Sequence, residues 1–496
     1  MKKITALITV LALLLLSGCN TVISDNTGKG DNDNDGPATA YDLSFREADI
    51  DSEYAISGST YISLGDEDVK ITKGGTYILE GQMNGASVIV DVADNDDVRL
   101  VLNNVTINAE DFAGIYIING DEITITLAEG SNNTITDSGD YEQIDDNSVD
   151  ALIYSKADLI INGNGTLNLK SSYNHGIVSK DDLIITGGTY NIETAGQGLR
   201  GKDCLKIRDG TFNLVTYKDA LKSDNSSDEY RGYVYITGGD FVIETYADAI
   251  YGYSLVNITG GDFVISCAKS NSADSYKAIK SAGMIDISNG TFKIDTVDDA
   301  IHCDSDVLIG GGTFEIESGD DAIHADQKVE ISDGKLDITA AEGIEATYVL
   351  ISGGDITINA SDDGINAGAK SSAYTPTVEI TGGKLTINMG QGDTDGIDSN
   401  GYIYIKGGTV AITAQFPFDY DSGAELSGGT VTVNGEEVDE ISNQFGGGGP
   451  GGGFPGGDNG NNDNGFPGGS EPPEGQSPGE GQMPPGQSSG GGDHHH

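Results

Sequence analysis

Along most of the chain, apolar and polar residues alternate in short runs broken by glycine. The run Val329-Glu330-Ile331-Ser332-Asp333-Gly334-Lys335-Leu336-Asp337-Ile338 is representative. Val329 and Ile331 point to one face and Glu330 to the other, the period of two expected of a half-buried strand. Asp333-Gly334 turns the chain, because glycine accepts positive φ. Leu336 and Ile338 then resume the inward face, and a third short strand is clear in Asp321-Ala322-Ile323-His324-Ala325-Asp326. The second glycine of the unit recurs at Gly188, Gly210, Gly239, Gly261, Gly290, Gly312, Gly334, Gly354, Gly383, Gly408 and Gly429, in steps of 20 to 29 residues. Weaker copies surround Gly165, Gly75 and Asn104. Such a period, built of short strands, predicts a β-solenoid. Three parallel sheets would enclose an apolar core, with about 12 coils stacked about 4.8 Å apart in a rod on the order of 60 Å long. A helical solenoid is excluded by the period of two and by a Gly-Gly in every repeat.

Aligning the third strands gives columns. The inward apolar column reads Leu199, Leu221, Ile250, Ile279, Ile301, Ile323, Ile344, Ile365 and Ile397. The outward column beside it reads Arg200, Lys222, Tyr251, Lys280, His302, His324, Glu345, Asn366 and Asp398, and the next outward position holds Lys202, Asp224, Tyr253, Asp304 and Asp326 in their coils. On the other side stand Ala220, Ala249, Ala278, Ala300, Ala322, Gly343, Gly364 and Gly396. We read these small residues as the low edge of an outward groove suited to a linear polymer. Ten bases between Arg200 and Lys280, Lys206 and Arg231 among them, make the first half of this strip basic.

Beyond Lys293 the strip turns acidic, with Asp298, Asp299, Asp304, Asp320, Asp321, Asp326, Glu342, Glu345, Asp362, Asp363, Asp393, Asp395 and Asp398. Carboxylates stacked at coil spacing repel unless a cation lies between them, and clustered hard oxygen ligands suit calcium. The doubled Asp298-Asp299, Asp320-Asp321 and Asp362-Asp363 therefore point to bound Ca2+, with Asp304, Asp326, Asp393 and Asp395 as further ligands. For single aspartates, a turn cap is the simpler reading. His302 and His324 share a column on successive coils; a stacked polar ladder is favoured over acid–base catalysis or a transition metal, since no cysteine or third histidine accompanies them.

The 79 acids outweigh 26 bases for a formal charge of -53, which argues against nucleic acid and anionic membrane as partners. At the start, Lys2-Lys3, an apolar run from Ile4 to Leu16 and Leu16-Ser17-Gly18-Cys19 resemble a bacterial lipoprotein signal. That run is too short to span a bilayer. We expect residues 1–18 to be removed, Cys19 to be lipidated, and residues 19–40 to tether a monomer to the outer face of the membrane. Residues 41–443 would form the β-helix. Residues 444–496, rich in Gly, Pro, Asn and Gln, offer little to bury and should be disordered. With Cys19 taken, Cys204, Cys267 and Cys303 read as buried small side chains.

The block from Asn174-His175-Gly176-Ile177 to Thr189, continued by Gly198-Leu199-Arg200-Gly201-Lys202-Asp203, resembles a family of bacterial carbohydrate-binding β-helix proteins. The likeness runs to about Gly435. It implies a right-handed parallel β-helix related to calcium-dependent pectate lyases, calcium held by aspartates, and binding to cellulose and to acidic sugars such as polygalacturonate (pectin). Arg200, Lys202, Lys222, Tyr251, Lys280, His302 and His324 are then the candidates for holding polysaccharide. The alternatives are a lyase, with Lys222 or Lys280 as the base that removes the proton α to a carboxylate, and a purely structural or adhesive rod.

Overall fold

The computed structural model describes residues 38–268, 275–390 and 394–443. Cys19, the signal, most of the tether, Asp393 and the tail lie outside them. Among the described residues the protein is all-β, with one helix of four residues, Glu47–Ile50.

Each coil contributes one strand to each of three ladders. In one coil these are Cys204–Ile207, Thr211–Thr216 and Leu221–Ser223, and in the next they are Tyr233–Ile236, Asp240–Thr245 and Ile250–Gly252. Every strand pairs in parallel with its counterpart one coil away, which defines a parallel β-helix. The third ladder starts at Val69–Ile71, ahead of the regular repeat, and runs to Phe416–Tyr420. A short antiparallel strand, Glu436–Val438, folds back on Gly423–Val433 and covers its edge.

The inward column is continuous in register. Ile177 pairs with Leu199, and the series runs through Leu221, Ile250, Ile279, Ile301, Ile323, Ile344, Ile365 and Ile397 to Phe418. These side chains are buried together with the inward residues of the other two sheets. On the second sheet Tyr190, Phe212, Phe241, Phe263, Phe292 and Phe314 stack as a ladder, with ring centroids 4.6 to 4.9 Å apart. The spacing is the strand spacing itself, so backbone pairing sets the ring geometry. Cys204, Cys267 and Cys303 are free and buried.

Two sequence expectations are corrected here. Ala220, Ala249, Ala278, Ala300 and Ala322 belong to the core rather than to an exposed groove edge. Their glycine counterparts are small because the next coil leaves no room. A Cβ on Gly364 would lie 2.4 Å from the Gly396 carbonyl oxygen and 2.6 Å from Ile387 Cγ2. The column is a packing constraint at a corner of the coil.

The second correction concerns the bases. Lys206 does not face the strip: its ammonium is buried on the first sheet, 2.9 Å from Asp42 Oδ2, and donates to the Ser44 carbonyl at 3.2 Å. Arg231 is taken by Asp203. Asp42 belongs to a segment, Ala38 to Asp51, that lies across the first sheet. Ala38 N donates to Asp228, Tyr41 packs edge-on to Tyr230 and Tyr233, Phe45 stacks on Tyr235, and Thr186 and Asn162 donate to the Asp49 carbonyl.

Candidate functional site

The third sheet is closed over its early coils. Tyr116, Tyr154 and Val178 occupy the outward column there, but Phe112, Tyr141 and Val149 bury them. From Arg200 onward the column opens. Arg200, Lys222, Tyr251, Lys280, His302 and His324 sit on successive rungs in that order, as the alignment placed them. Lys202 lies at the next outward position and is exposed.

Tyr251 stands between two lysines on this column. The Lys222 ammonium lies 5.0 Å from its ring centroid and the Lys280 ammonium 5.9 Å. A cavity of about 460 Å³ opens here, lined by Asp219, Lys222, Asp248, Tyr251, Ser275 and Lys280. Lys222 is held by Asp219 Oδ2 at 2.7 Å, and Lys280 by Ser275 Oγ at 3.0 Å and Asp248 Oδ2 at 3.5 Å. Arg200 donates to Asp224 Oδ1 at 2.9 Å. Burial pushes Asp248 above its ordinary value, opposed by Lys280, and burial beside Asp224 pushes the Tyr251 phenol up to about 12. The result is an aromatic face between two oriented cations, each already paired to a carboxylate. Proton abstraction needs a free amine, and both ammonium groups here are engaged by carboxylates.

Asp219 and Asp248 went unread in the sequence, although their signal is simple: each stands three residues before its outward residue. The same offset places Lys277, Asp299, Asp321, Glu342, Asp363 and Asp395 before the next six coils. Across the turn these corner residues meet the outward column. His302 Nδ1 lies 2.7 Å from Asp299 Oδ2, and His324 Nδ1 lies 2.7 Å from Asp321 Oδ2 and 2.9 Å from Glu345 Oε2. Asp304 and Asp326 approach the other ring nitrogens at 3.3 and 3.4 Å. The two rings stack with centroids 4.7 Å apart and planes 14° apart. Near-parallel rings aim their lone pairs side by side rather than at one point, which suits a polar ladder better than a chelate. Burial lowers the His324 imidazolium, but Asp321 and Glu345 outweigh it and hold it up at about 10.

The calcium candidates separate into two groups. Asp298 and Asp299 both grip the Lys277 ammonium at 2.8 Å, and Asp320 comes close enough that one oxygen from each of the three lies within 4.8 Å of the others. Lys277 and His302 outweigh burial and hold Asp299 well below the usual carboxylate range. This cluster already contains a cation from the chain itself. Farther along, Asp362 is exposed, Asp363 Oδ1 accepts the Asp395 backbone N–H at 3.1 Å, and Asp398 faces Asp419 across the ladder. Burial, with Asp363 and Asp419 close by, pushes Asp398 up to about 6. Burial, with Asp321 and Glu345, pushes Glu342 up to about 8. Around Asp363, Asp398 and Asp419 the donors are all oxygens, and burial with neighbouring carboxylates raises the pKa of Asp363 and Asp398, a setting that a hard cation relieves.

A second depression, of about 400 Å³, lies on the second sheet beside Asn168, Asn191, Asn213, Val215 and Val242. Its amides hydrogen-bond to one another in a ladder, Asn191 to Asn168 and Asn213 to Asn191, each at 2.9 Å.

The third sheet of the parallel β-helix thus carries an open, tyrosine-centred strip of paired charges. The family model described as carbohydrate-binding domain-containing protein matches residues 65–322 and 304–396, and the chain belongs to that family. A carbohydrate-binding domain-containing protein of Acetivibrio thermocellus is 33% identical over 291 residues, covering 58% of this chain and 96% of that one. A solved structure described as the polysaccharide lyase-like protein from C. thermocellum, gadolinium derivative, is 32% identical, with a TM-score of 0.42. It covers 46% of this chain and 96% of that chain.

Proposed function

We propose that the protein binds acidic polysaccharide, of which polygalacturonate is the test case, along the third sheet from Arg200 to His324. The observation that carries this is the Tyr251 ring flanked by Lys222 and Lys280 over the cavity. A pyranose ring can stack on the tyrosine while its carboxylate meets an ammonium, and the coil spacing lets successive rungs meet successive sugars. Both lysines are engaged by carboxylates, which supports binding without cleavage over β-elimination.

Calcium enters this reading as a structural ion. Asp363, Asp398 and Asp419, whose charges act on one another, are the residues that would draw together around it, and when bound it would offset their repulsion. Cys19, behind Leu16-Ser17-Gly18, would anchor the chain at the outer face of the membrane. Incorporation of labelled palmitate that disappears in Cys19→Ser is the expected sign of that anchor.

The binding claim is tested by sedimentation with insoluble polygalacturonate. Tyr251→Ala should weaken binding roughly tenfold, the loss of about one aromatic contact, with no unsaturated sugar released by either protein. Undiminished binding by the variant would remove the strip from consideration, and unsaturated product would restore the lyase.

A further inference from the structure

Beside the Tyr251 site, the backbone register stacks three lysines. Lys156 N donates to the Ile117 carbonyl at 3.1 Å, Lys180 N to Ser155 at 2.8 Å, and Lys202 N to Ser179 at 3.1 Å. The parallel ladder thus continues one residue past Ser155, Ser179 and Gly201, and it sets Lys156, Lys180 and Lys202 on consecutive rungs about 4.8 Å apart. Lys156 and Lys202 are exposed and Lys180 is half-buried, its ammonium 5.9 Å from the Tyr154 ring centroid. Among the described residues none of the three makes an ion pair, whereas their neighbours do: Arg200 is held by Asp224 and Lys222 by Asp219. The next rung, Asp224, ends the run.

This arrangement is unusual in a chain of net charge -53. Carboxylates are plentiful, and Asp145 and Asp150 act on Lys156 and Lys180 from a distance, yet among the described residues none closes an ion pair with any of the three. Like charges on adjacent rungs repel, and nothing in the packing requires them, since two of the side chains are exposed. Burial together with Arg200 and Lys202 lowers Lys180 below an ordinary lysine, opposed by Asp150. A ligand with one negative charge per repeat, and a repeat close to the rung spacing, would relieve all three together.

We infer that the Lys156–Lys180–Lys202 stack is the acid-selective part of the groove and takes the carboxylates of successive uronate residues in a polysaccharide running along the stacked coils. The inference rests on the proposed carbohydrate binding and deepens it. At the Tyr251 site Lys222 and Lys280 meet the ligand while still paired to Asp219 and Asp248, whereas the lysine stack makes no ion pair of its own and so adds most to the preference for acid. Lys156 and Lys180 lie outside the set that the repeat alignment selects, because their coils precede the regular part of the outward column. A run of phosphates offers similar charge but no ring for the nearby tyrosine, so acidic sugar is the occupant favoured.

The test is isothermal titration of the full chain with polygalacturonate, with its methyl ester, and with inorganic polyphosphate. The proteins compared are the unaltered chain, the triple variant Lys156→Gln, Lys180→Gln, Lys202→Gln, and the matching triple Lys→Arg variant. Melting curves establish that each variant is folded. The glutamine triple should lose at least about tenfold in affinity for polygalacturonate, as expected for three exposed ion pairs. Its salt dependence should flatten, its affinity for the methyl ester should be unchanged, and the arginine triple should retain the preference for acid. An acid-over-ester preference as large in the glutamine triple as in the unaltered chain overturns the assignment of the stack. Loss of polyphosphate binding with both sugars unaffected overturns it too, in favour of a phosphate polymer. If the unaltered chain binds neither sugar, the carbohydrate reading itself falls.

Discussion

At the scale of single residues, the strip is organised by pairs formed across one turn. Three outward side chains meet a partner three residues earlier, Lys222 with Asp219, His302 with Asp299 and His324 with Asp321, while Lys280 reaches back to Asp248 on the preceding coil. Lys277 is the exception that shows the logic. It holds a corner position itself, and its ammonium fills the space between Asp298 and Asp299. Lys277→Ala should therefore leave three clustered carboxylates without their cation and destabilise the protein by about 3 kcal/mol, the cost of breaking a largely buried pair. Added calcium should restore part of that loss in a thermal melt. A variant as stable as the unaltered chain would show that the cluster needs no cation. The aspartates themselves were legible in the sequence, because doubled acids at a fixed coil position are conspicuous. Their partner was not, since Lys277 reaches them only after the coil has closed.

At the scale of the strand and coil, the sequence was most informative where two periodicities coincide. Alternation fixes which side of a strand faces inward, and the coil repeat fixes which residues stack, so the column from Leu199 to Ile397 could be read directly. The corner column of alanine and glycine misled for a physical reason. Small residues mark either an open edge or a tight contact, and alternation alone does not separate the two. The close approach of Gly364 to the Gly396 carbonyl and to Ile387 decides for tight contact. The segment from Ala38 to Asp51 was illegible as a strap because it follows no repeat. It is held by the ion pair of the buried Lys206 with Asp42 and by three rings of one coil, Tyr230, Tyr233 and Tyr235. The aromatic ladder makes the most direct prediction at this scale. Phe263 lies between Phe241 and Phe292, so Phe263→Ala opens a cavity and removes two stacking contacts. A loss of about 3–5 kcal/mol is expected in chemical denaturation, and a loss below about 1 kcal/mol would mean that neighbouring coils close the gap.

For the whole molecule, charge is the dominant fact. Asp321 and Asp398 are raised to about 6 and Glu342 to about 8, chiefly by burial. Their folded-state values lie above those of the unfolded chain, so the folded protein binds more protons than the unfolded one from about pH 4 to about pH 8. Stability contributed by these groups falls as pH rises through that window. His324, raised to about 10, acts in the same sense over a higher window: its contribution is full below about pH 6.5, falls as pH rises, and is gone above about pH 10. In chelator, the melting temperature should therefore decline from about pH 5 to about pH 8, and calcium should flatten the decline by neutralising the same carboxylates. A melting temperature that rises over this range in chelator would contradict that reading.

The central claim is that the Tyr251 strip holds acidic polysaccharide without cleaving it. The most direct measurement is the affinity of the full chain for polygalacturonate in calcium, compared with that of Tyr251→Ala and with Lys222→Ala, Lys280→Ala. The account predicts saturable binding by the unaltered protein, roughly tenfold weaker binding by each variant, and no unsaturated product in any sample. Equal affinity in all three proteins, or no binding by the unaltered chain, would contradict it.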